Sequence, residues 1–384
     1  MKSKNGLFLT KKTFMIILLC IILGIFAYKI FTVYKKERFS ITKTEDVEVV
    51  KRPFTNVYDN KGNKLNVILV SKPFDDKENT DFAKNNKNKY IFVGITSYLE
   101  FPNLSSNPFD NFPNYDKNKY LDMCEAWLHC MRNPEDYFRP ETPLALISES
   151  DFINCHINAP NPKVEKKYDF VYICLKVKKG DTKCDDWATY NKNWTLAKKC
   201  LVIMCRDYGL KGLLIGRKGC ELPDSCHSLM ESTEILDNTV LKYAYQSSKF
   251  IFLPNTADAS PRVLAEALCT DLPCLINKNI IGGWKYVNEN TGEFFTDEND
   301  IGDSLNILLN NMIQNKYEPR KYFIDNYGII NSGKRLKQFL YSTFGDRLNI
   351  PESQVEYITP DYKSIDYKSC TLEEVVDNKV EKIE

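Results

Sequence analysis

The sequence predicts an α/β protein: two doubly wound, Rossmann-like domains facing across a cleft, preceded by one transmembrane helix. Three observations lead there. An apolar run extends from Phe14 to Tyr34, broken only by Lys29. Short apolar segments ending at Pro, Gly or Ser recur along the chain, the pattern of buried strands. In the second half these segments alternate with helical periodicity, which implies a parallel sheet covered on both faces.

The apolar run is long enough for a helix that spans the roughly 30 Å hydrocarbon core of a bilayer. Lys29, near its end, can keep its ammonium at the interface. A cleaved signal peptide has a shorter apolar region, about 7–15 residues, and a small-residue cleavage site. Here bulky Phe31, Val33 and Tyr34 follow Ala27. Lys2, Lys4, Lys11 and Lys12 precede the run without an acidic neighbour, while Glu37 mixes with the basic residues after it. The positive-inside rule then places the N-terminus in the cytoplasm. The expected layout is a cytoplasmic tail over 1–13, an anchor over 14–34, a charged stem over 35–56, and a large part facing the Golgi or ER lumen. That is a single-pass type II arrangement.

The formal net charge is +1, so the chain lacks the electrostatic footprint of a nucleic-acid binder. Thirteen cysteines are present, and no spacing dictates their connectivity. Cys220 and Cys226 have the separation of a loop staple, and two free buried thiols fit equally well. His129, His156 and His227 form no zinc-type spacing with cysteines, so no metal is expected. Asn103-Leu-Ser105 and Asn193-Trp-Thr195 match the glycosylation pattern, which is short enough to arise by chance.

The first globular domain is expected over 57–162. Leu65–Val70, Tyr90–Ile95 and Leu144–Ile147 read as strands, and Lys119–Met131 as a helix. Residues 75–89 are polar and read as a surface loop, and residues 100–119 as an irregular, proline-bearing segment. Pro160 and Pro162 mark the boundary. The second domain, 163–343, reads as strands at Tyr168–Leu175, Gly212–Gly216, Lys249–Pro254 and Pro273–Ile276. Helices are expected at Trp194–Tyr208, Thr233–Ser247 and Pro261–Cys269. Residues 344–384 read as a loosely ordered tail. Ligands of such sheets sit outside the carboxyl ends of the strands.

The stretch from Phe250 to Leu268 carries the chemistry. A strand ends at Pro254 and a short loop brings Asp258. Ser260 is a good N-cap, and Pro261 suits the first helical position, where no N–H is needed. The positive end of that helix, with the planar guanidinium of Arg262, makes an anion site. Glu266 lies four residues after Arg262, on the same helix face. An anion site between two carboxylates suits a diphosphate between two polyhydroxyl groups, which is the layout of a nucleotide sugar. The plainer alternative is a capped helix with an Arg262–Glu266 ion pair worth about 0.2–0.5 kcal/mol.

An ordered set of short phrases decides between them. It runs Leu241-Lys-Tyr-Ala-Tyr245, Phe252-Leu-Pro254, Asp258, seven residues, Glu266-Ala267, Asp271-Leu-Pro273, Gly282-Gly-Trp-Lys-Tyr-Val287 and Asn290-Thr-Gly292. Over about 55 residues this resembles the C-terminal half of GT-B glycosyltransferases of the group 1 (family 4) type. The resemblance implies a metal-independent transferase with no cofactor, whose donor is a nucleotide sugar and whose acceptor is a glycan, lipid or protein. It implies that Glu266 holds the ribose hydroxyls and Asp258 the transferred sugar. Lys192, and after it Lys176, would clamp the diphosphate beside Ser260 and Arg262. Asn255 and the Gly282-Gly283-Trp284 turn would complete the donor site.

Two departures stand out. Asp258 occupies a position where the family usually has Glu, and Pro261 one where it usually has Gly, which removes a phosphate-binding N–H. The Ser-Pro-Arg phrase is also similar to exostosin-type glycosyltransferases, which mostly invert where family 4 enzymes retain. A non-catalytic GT-B carbohydrate-binding module is the third reading. A metal-dependent GT-A enzyme needs an Asp-x-Asp element, and neither Asp75-Asp76 nor Asp185-Asp186 has that form. The first domain resembles nothing closely. Glu149 and Asp151 follow its third strand at the cleft edge, where either could contact an acceptor; a polar turn is the plainer reading.

Overall fold

The computed structural model describes residues 50–74, 76–102, 117–174, 190–234 and 238–360. The Phe14–Tyr34 run, Lys176 and the Asn103 sequon lie outside them. Among the described residues no helix is long and apolar enough to cross a membrane.

Two six-stranded sheets organise the chain. The first comprises β1 (Phe54–Asp59), β2 (Lys64–Val70), β3 (Ile91–Ile95), β4 (Ala126–Leu128) and β5 (Leu144–Ala145). A distant strand, β12 (Ile358–Thr359), joins its edge, giving the order β12-β1-β2-β3-β4-β5. β2 to β5 are parallel, and β1 runs antiparallel to both β2 and β12. The second sheet comprises β6 (Tyr168–Ile173), β7 (Gly212–Ile215), β8 (Met230–Thr233), β9 (Ser248–Leu253), β10 (Cys274–Asn277) and β11 (Gly292–Phe295). All its pairs are parallel, in the order β11-β10-β9-β6-β7-β8. That is the doubly wound Rossmann order, with its reversal between β6 and β9.

Only the second half is doubly wound as expected. In the first half β2 to β5 advance in one direction. Right-handed crossovers of one direction place their helices on one face. Accordingly α1 (Lys77–Asn86) and α2 (Lys117–Met123) pack with Ile68, Phe92 and Trp127 on the same side. The opposite face would be bare. The last long helix of the chain, numbered α8 below (Gly328–Phe344), covers it instead, packing Leu336, Leu340 and Phe344 on Val67, Val93 and Leu128. The expected tail from 344 is therefore corrected for residues 345–360, which return to the first sheet and end in β12.

Local differences have local causes. Residues 75–89 contain α1 rather than only a loop. Asp76 caps it by accepting from the Asn79 backbone N at 2.7 Å, and little of its surface is apolar enough to signal a helix. The helix expected to run to Met131 stops at Met123. Ala126, Trp127 and Leu128 form β4, buried on both faces, so they show no alternation for a sequence reading to find. β1 starts at Phe54, inside the expected stem. β8 ends at Thr233, where a helix was expected to begin, and the helix starts instead at Asn238.

Gly94 on β3 exists to admit Trp127. A Cβ there would lie 2.2 Å from the Trp127 ring, and Trp127 is fully buried. We expect Gly94→Ala to destabilise the fold by about 1–3 kcal/mol through overpacking, read as a lower urea midpoint. An additional Trp127→Leu should recover part of the loss.

In the second half, α3 (Trp194–Arg206) and α6 (Ile301–Ile313) cover one face of the sheet. α4 (Asn238–Gln246), α5 (Arg262–Cys269) and α7 (Pro319–Asn326) cover the other. Cys226 is bonded to Cys205 on α3, and Cys220 is in a different disulfide, so the two do not staple to each other. Their distance in sequence suggested a pair, but the α3 packing sets the bond.

Candidate active site

The carboxyl ends of the two sets of parallel strands meet. Ser150, after β5, bonds Ser260 twice: its N donates to Ser260 Oγ at 3.0 Å, and the two hydroxyls lie 2.6 Å apart. Trp284 Nε1 donates to the Cys130 carbonyl at 2.8 Å, and Arg132 stacks over the same indole while its guanidinium donates to the Lys278 carbonyl. These contacts close the cleft walls around one small region.

At its centre is the strand-order reversal of the second sheet. The chain entering α3 brings Lys192, and the loop after β9 brings Asp258. Lys192 Nζ lies 2.8 Å from Asp258 Oδ2, with 16% and 13% of the two side chains exposed. The backbone around Lys192 is fixed from several sides. Tyr172 on β6 donates to the Lys192 carbonyl at 2.7 Å, Asn191 donates to the Ala257 carbonyl, and Asn193 Nδ2 donates to the Pro254 carbonyl at 3.1 Å. Asn193 adopts a left-handed conformation (φ 51°), which Asn tolerates. Its amide is thus engaged within the fold, whatever its sequon.

Asn255 is fully buried and donates to Asp258 Oδ2 at 2.9 Å. It supports Asp258 rather than lying open in the cleft. Ser260 is corrected as a cap: α5 starts at Arg262, no side chain caps it, and the Ser260 hydroxyl faces Ser150. Arg262 is exposed at the helix start and, among the described residues, forms no ion pair. The Arg262–Glu266 pair is thus absent. Tyr245 on α4 donates instead to Glu266 Oε2 at 3.0 Å. Burial raises the Glu266 pKa above its ordinary 4.5, opposed by the Tyr245 hydrogen bond and the nearby Arg262 charge.

Gly282 and Gly283 pack directly on this loop. Gly282 N donates to the Asp258 carbonyl at 2.9 Å, and a Cβ on Gly282 would lie 1.8 Å from the Ala259 carbonyl oxygen. Gly283 has φ 82°, and its Cβ would meet the Pro261 ring. The glycines let two backbone segments touch, and that contact fixes the Asp258 loop. Trp284 uses its N–H to bridge to the first half.

The first half supplies His129 and Cys130, which sequence reasoning did not identify as site residues, and Glu149, which it raised as an acceptor contact. His129 follows β4 and is buried. Burial, joined by the Lys285 charge, pulls its pKa down to about 4, so it is neutral at ordinary pH. Burial pushes the neighbouring Cys130 thiol up to about 12, and both the Lys285 and Asp258 charges act on it. Glu149, after β5, is exposed to solvent, with Ser97, Arg52 and Arg262 near enough to act on it. Desolvation by the surrounding protein raises its pKa, opposed by a Ser97 hydrogen bond and by the Arg52 and Arg262 charges. Its position after a cleft-facing strand was visible in sequence; its approach to Arg262 was not.

Asp151 is wholly buried. It accepts from Ser148 N at 3.0 Å, from Lys285 Nζ at 2.7 Å and from the Tyr286 hydroxyl, and its carbonyl accepts from Ser332 on α8 at 2.9 Å. It pins the two halves and α8 together and takes no part in the cleft surface. Among the described residues, no group of three or more His, Cys, Asp or Glu side chains is placed to hold a metal ion.

Comparison with solved structures gives the class of fold. Sucrose-phosphate synthase from Thermosynechococcus elongatus superposes with a TM-score of 0.50 at 11% identity, over 69% of this chain and 70% of that one. HepE from Anabaena in complex with UDP superposes with a TM-score of 0.50 at 10% identity, over 68% and 75%. The chain has the GT-B fold that these proteins share. TarM, also similar (TM-score 0.49, 14% identity, 72% of this chain), is longer, and the chain spans about half its length. No protein-family model and no curated protein sequence matches the chain.

Proposed function

We propose that this protein is a membrane-anchored glycosyltransferase that moves a sugar from a nucleotide-sugar donor to a glycan, lipid or protein acceptor. One observation carries the reading: Lys192 and Asp258 pair at the strand-order reversal of a Rossmann sheet, the place where such folds bind nucleotides, and Arg262 is exposed at the start of the helix that follows. Lys192 and Arg262 provide positive charge for a diphosphate, and Glu266, oriented by Tyr245, provides an acceptor for ribose hydroxyls. Asp258 provides an acceptor for the sugar. HepE, whose fold this chain shares, has been solved in complex with UDP.

In the reaction, the acceptor hydroxyl oxygen bonds the anomeric carbon and its proton passes to the leaving diphosphate or to solvent, while the bond to the diphosphate oxygen breaks and its electron pair stays on that oxygen. Holding the two reactants together and neutralising the leaving charge supply the rate enhancement. Metal independence belongs to this proposal, and activity surviving EDTA tests it. The disulfide between Cys205 and Cys226 supports the lumen-facing orientation, since disulfides persist in oxidising compartments.

The decisive experiment is thermal stabilisation of the full-length protein by a panel of nucleoside diphosphates and nucleotide sugars. At least one should stabilise the protein, and Arg262→Ala should remove the effect. A panel without any response defeats the proposal. The pH dependence has a defined sign. Glu266 must be ionised to accept two hydroxyls, so donor affinity should fall on acidification, starting above the 4.5 of an ordinary glutamate. In Glu266→Gln, affinity should be lower and that acid limb absent.

A further inference from the structure

A second concavity lies apart from the Asp258–Glu266 loop. It is a cavity of about 540 Å³, bounded by the segment after β5, by Lys285, and by the end of α7 and the outward side of α8. Its volume falls within the range of small-molecule sites. Its two charged wall residues, Lys285 and Arg335, are both cationic, and no acidic side chain lines it. Asp151 lies behind the wall, with none of its side chain exposed.

That carboxylate does not neutralise both cations. Lys285 is 2.7 Å from Asp151 and 6% exposed, whereas the Arg335 guanidinium stands 3.9 Å away and 39% exposed. At that distance Arg335 is outside hydrogen-bond reach of the carboxylate. Its other contacts are neutral: the Asn326 carbonyl, the Ser332 hydroxyl at 3.1 Å and the Tyr327 ring at 5.1 Å. One buried carboxylate thus serves two cations, and the cluster keeps a net positive charge whose more exposed bearer, Arg335, is only loosely paired. Around it stand the Gln338 amide, the Asn326 amide and the Ser342 hydroxyl, with Phe339 as an apolar wall. A planar guanidinium pairs best with a two-oxygen anion, and amides and hydroxyls pair with sugar hydroxyls.

We propose that this cavity binds a monosaccharide-sized sugar acid, a hexose carrying one phosphate or one carboxylate, with Arg335 on the anion and Gln338 and Ser342 on the hydroxyls. Lys285 links the site to the reaction cleft, because its charge also acts on His129 and Cys130. The site is separate from the donor's diphosphate, which is assigned to Lys192 and Arg262, and it stands on its own observations.

The test is calorimetric titration of the full-length protein with glucose 6-phosphate, glucuronate, glucose and UDP. Glucose 6-phosphate or glucuronate should bind saturably and at least about tenfold more tightly than glucose. Arg335→Leu should weaken that binding about 10–100-fold and leave UDP binding unchanged, and Arg335→Lys should restore part of it. Arg262→Ala should do the reverse, sparing the sugar acid. The proposal is overturned if neither sugar acid binds at millimolar concentration, if Arg335→Leu and Arg335→Lys both leave binding intact, or if Arg262→Ala abolishes it. Should UDP fail to bind wild-type protein, the donor assignment falls while the sugar-acid titrations still decide this one.

Discussion

Replacing Lys192 by Met should lower kcat/KM for transfer or donor hydrolysis about 10²–10³-fold, the scale of losing one preorganised donor to a developing anion. The expectation rests on where Lys192 sits. It enters the reversal point of the second sheet on a backbone tied to β6 by Tyr172 and to the β9 loop by Asn191 and Asn193. Its ammonium is largely screened from water, so its field is little attenuated. In the ligand-free protein it is paired with Asp258. A diphosphate carries more negative charge than a carboxylate and competes for that ammonium. Release of Asp258 would then free an oxygen for the sugar. Loss of the lysine should therefore lower kcat more than it raises KM, because leaving-group charge is greatest in the transition state. Lys192→Arg should retain an intermediate rate. Unchanged kinetics in Lys192→Met would remove this residue from the mechanism.

Asp151→Ala should destabilise the protein by about 3–5 kcal/mol, the effect of leaving a buried partner charge uncompensated. Lys285 would remain 6% exposed beside an apolar gap, and Ser148 N and the Tyr286 hydroxyl would lose their acceptor. Burial already pulls the Lys285 pKa down, and the Asp151 charge opposes that shift. Without Asp151 the ammonium is disfavoured further, so the variant should recover stability as pH rises and Lys285 becomes neutral. Asp151→Ala combined with Lys285→Met should be more stable than Asp151→Ala alone. The urea midpoint of the three proteins measures this, and equal midpoints for wild type and Asp151→Ala would show that the cluster does not hold the halves together.

Much of the second half was legible from its residues. Its strands are buried on both faces, so each reads as a short continuous apolar run, and its helices show clear periodicity. The loop from Pro254 to Glu266 was found for the same reason, since its chemistry lies within a dozen consecutive residues. The first half was harder. β4 is three residues of buried sheet whose neighbours in sequence mimic a helix, α1 is almost wholly polar, and β12 is paired with a strand some 300 residues earlier.

The site divides along the same line. Sequence alone determined the identities and the local order: a proline-ended strand, Asp258, a helix start with Arg262, and Glu266 one turn on. Spacing along one helix is fixed by 3.6 residues per turn, so such facts need no tertiary information. Which groups face one another was decided by the fold. Ser260 turned from a helix cap into an inter-half contact, Glu266 found Tyr245 instead of Arg262, and Glu149 came within electrostatic reach of Arg262 from another sheet. Hydrogen bonds and charges act over a few ångströms of space, and only the packing of the two sheets converts distant positions in the chain into neighbours at that range.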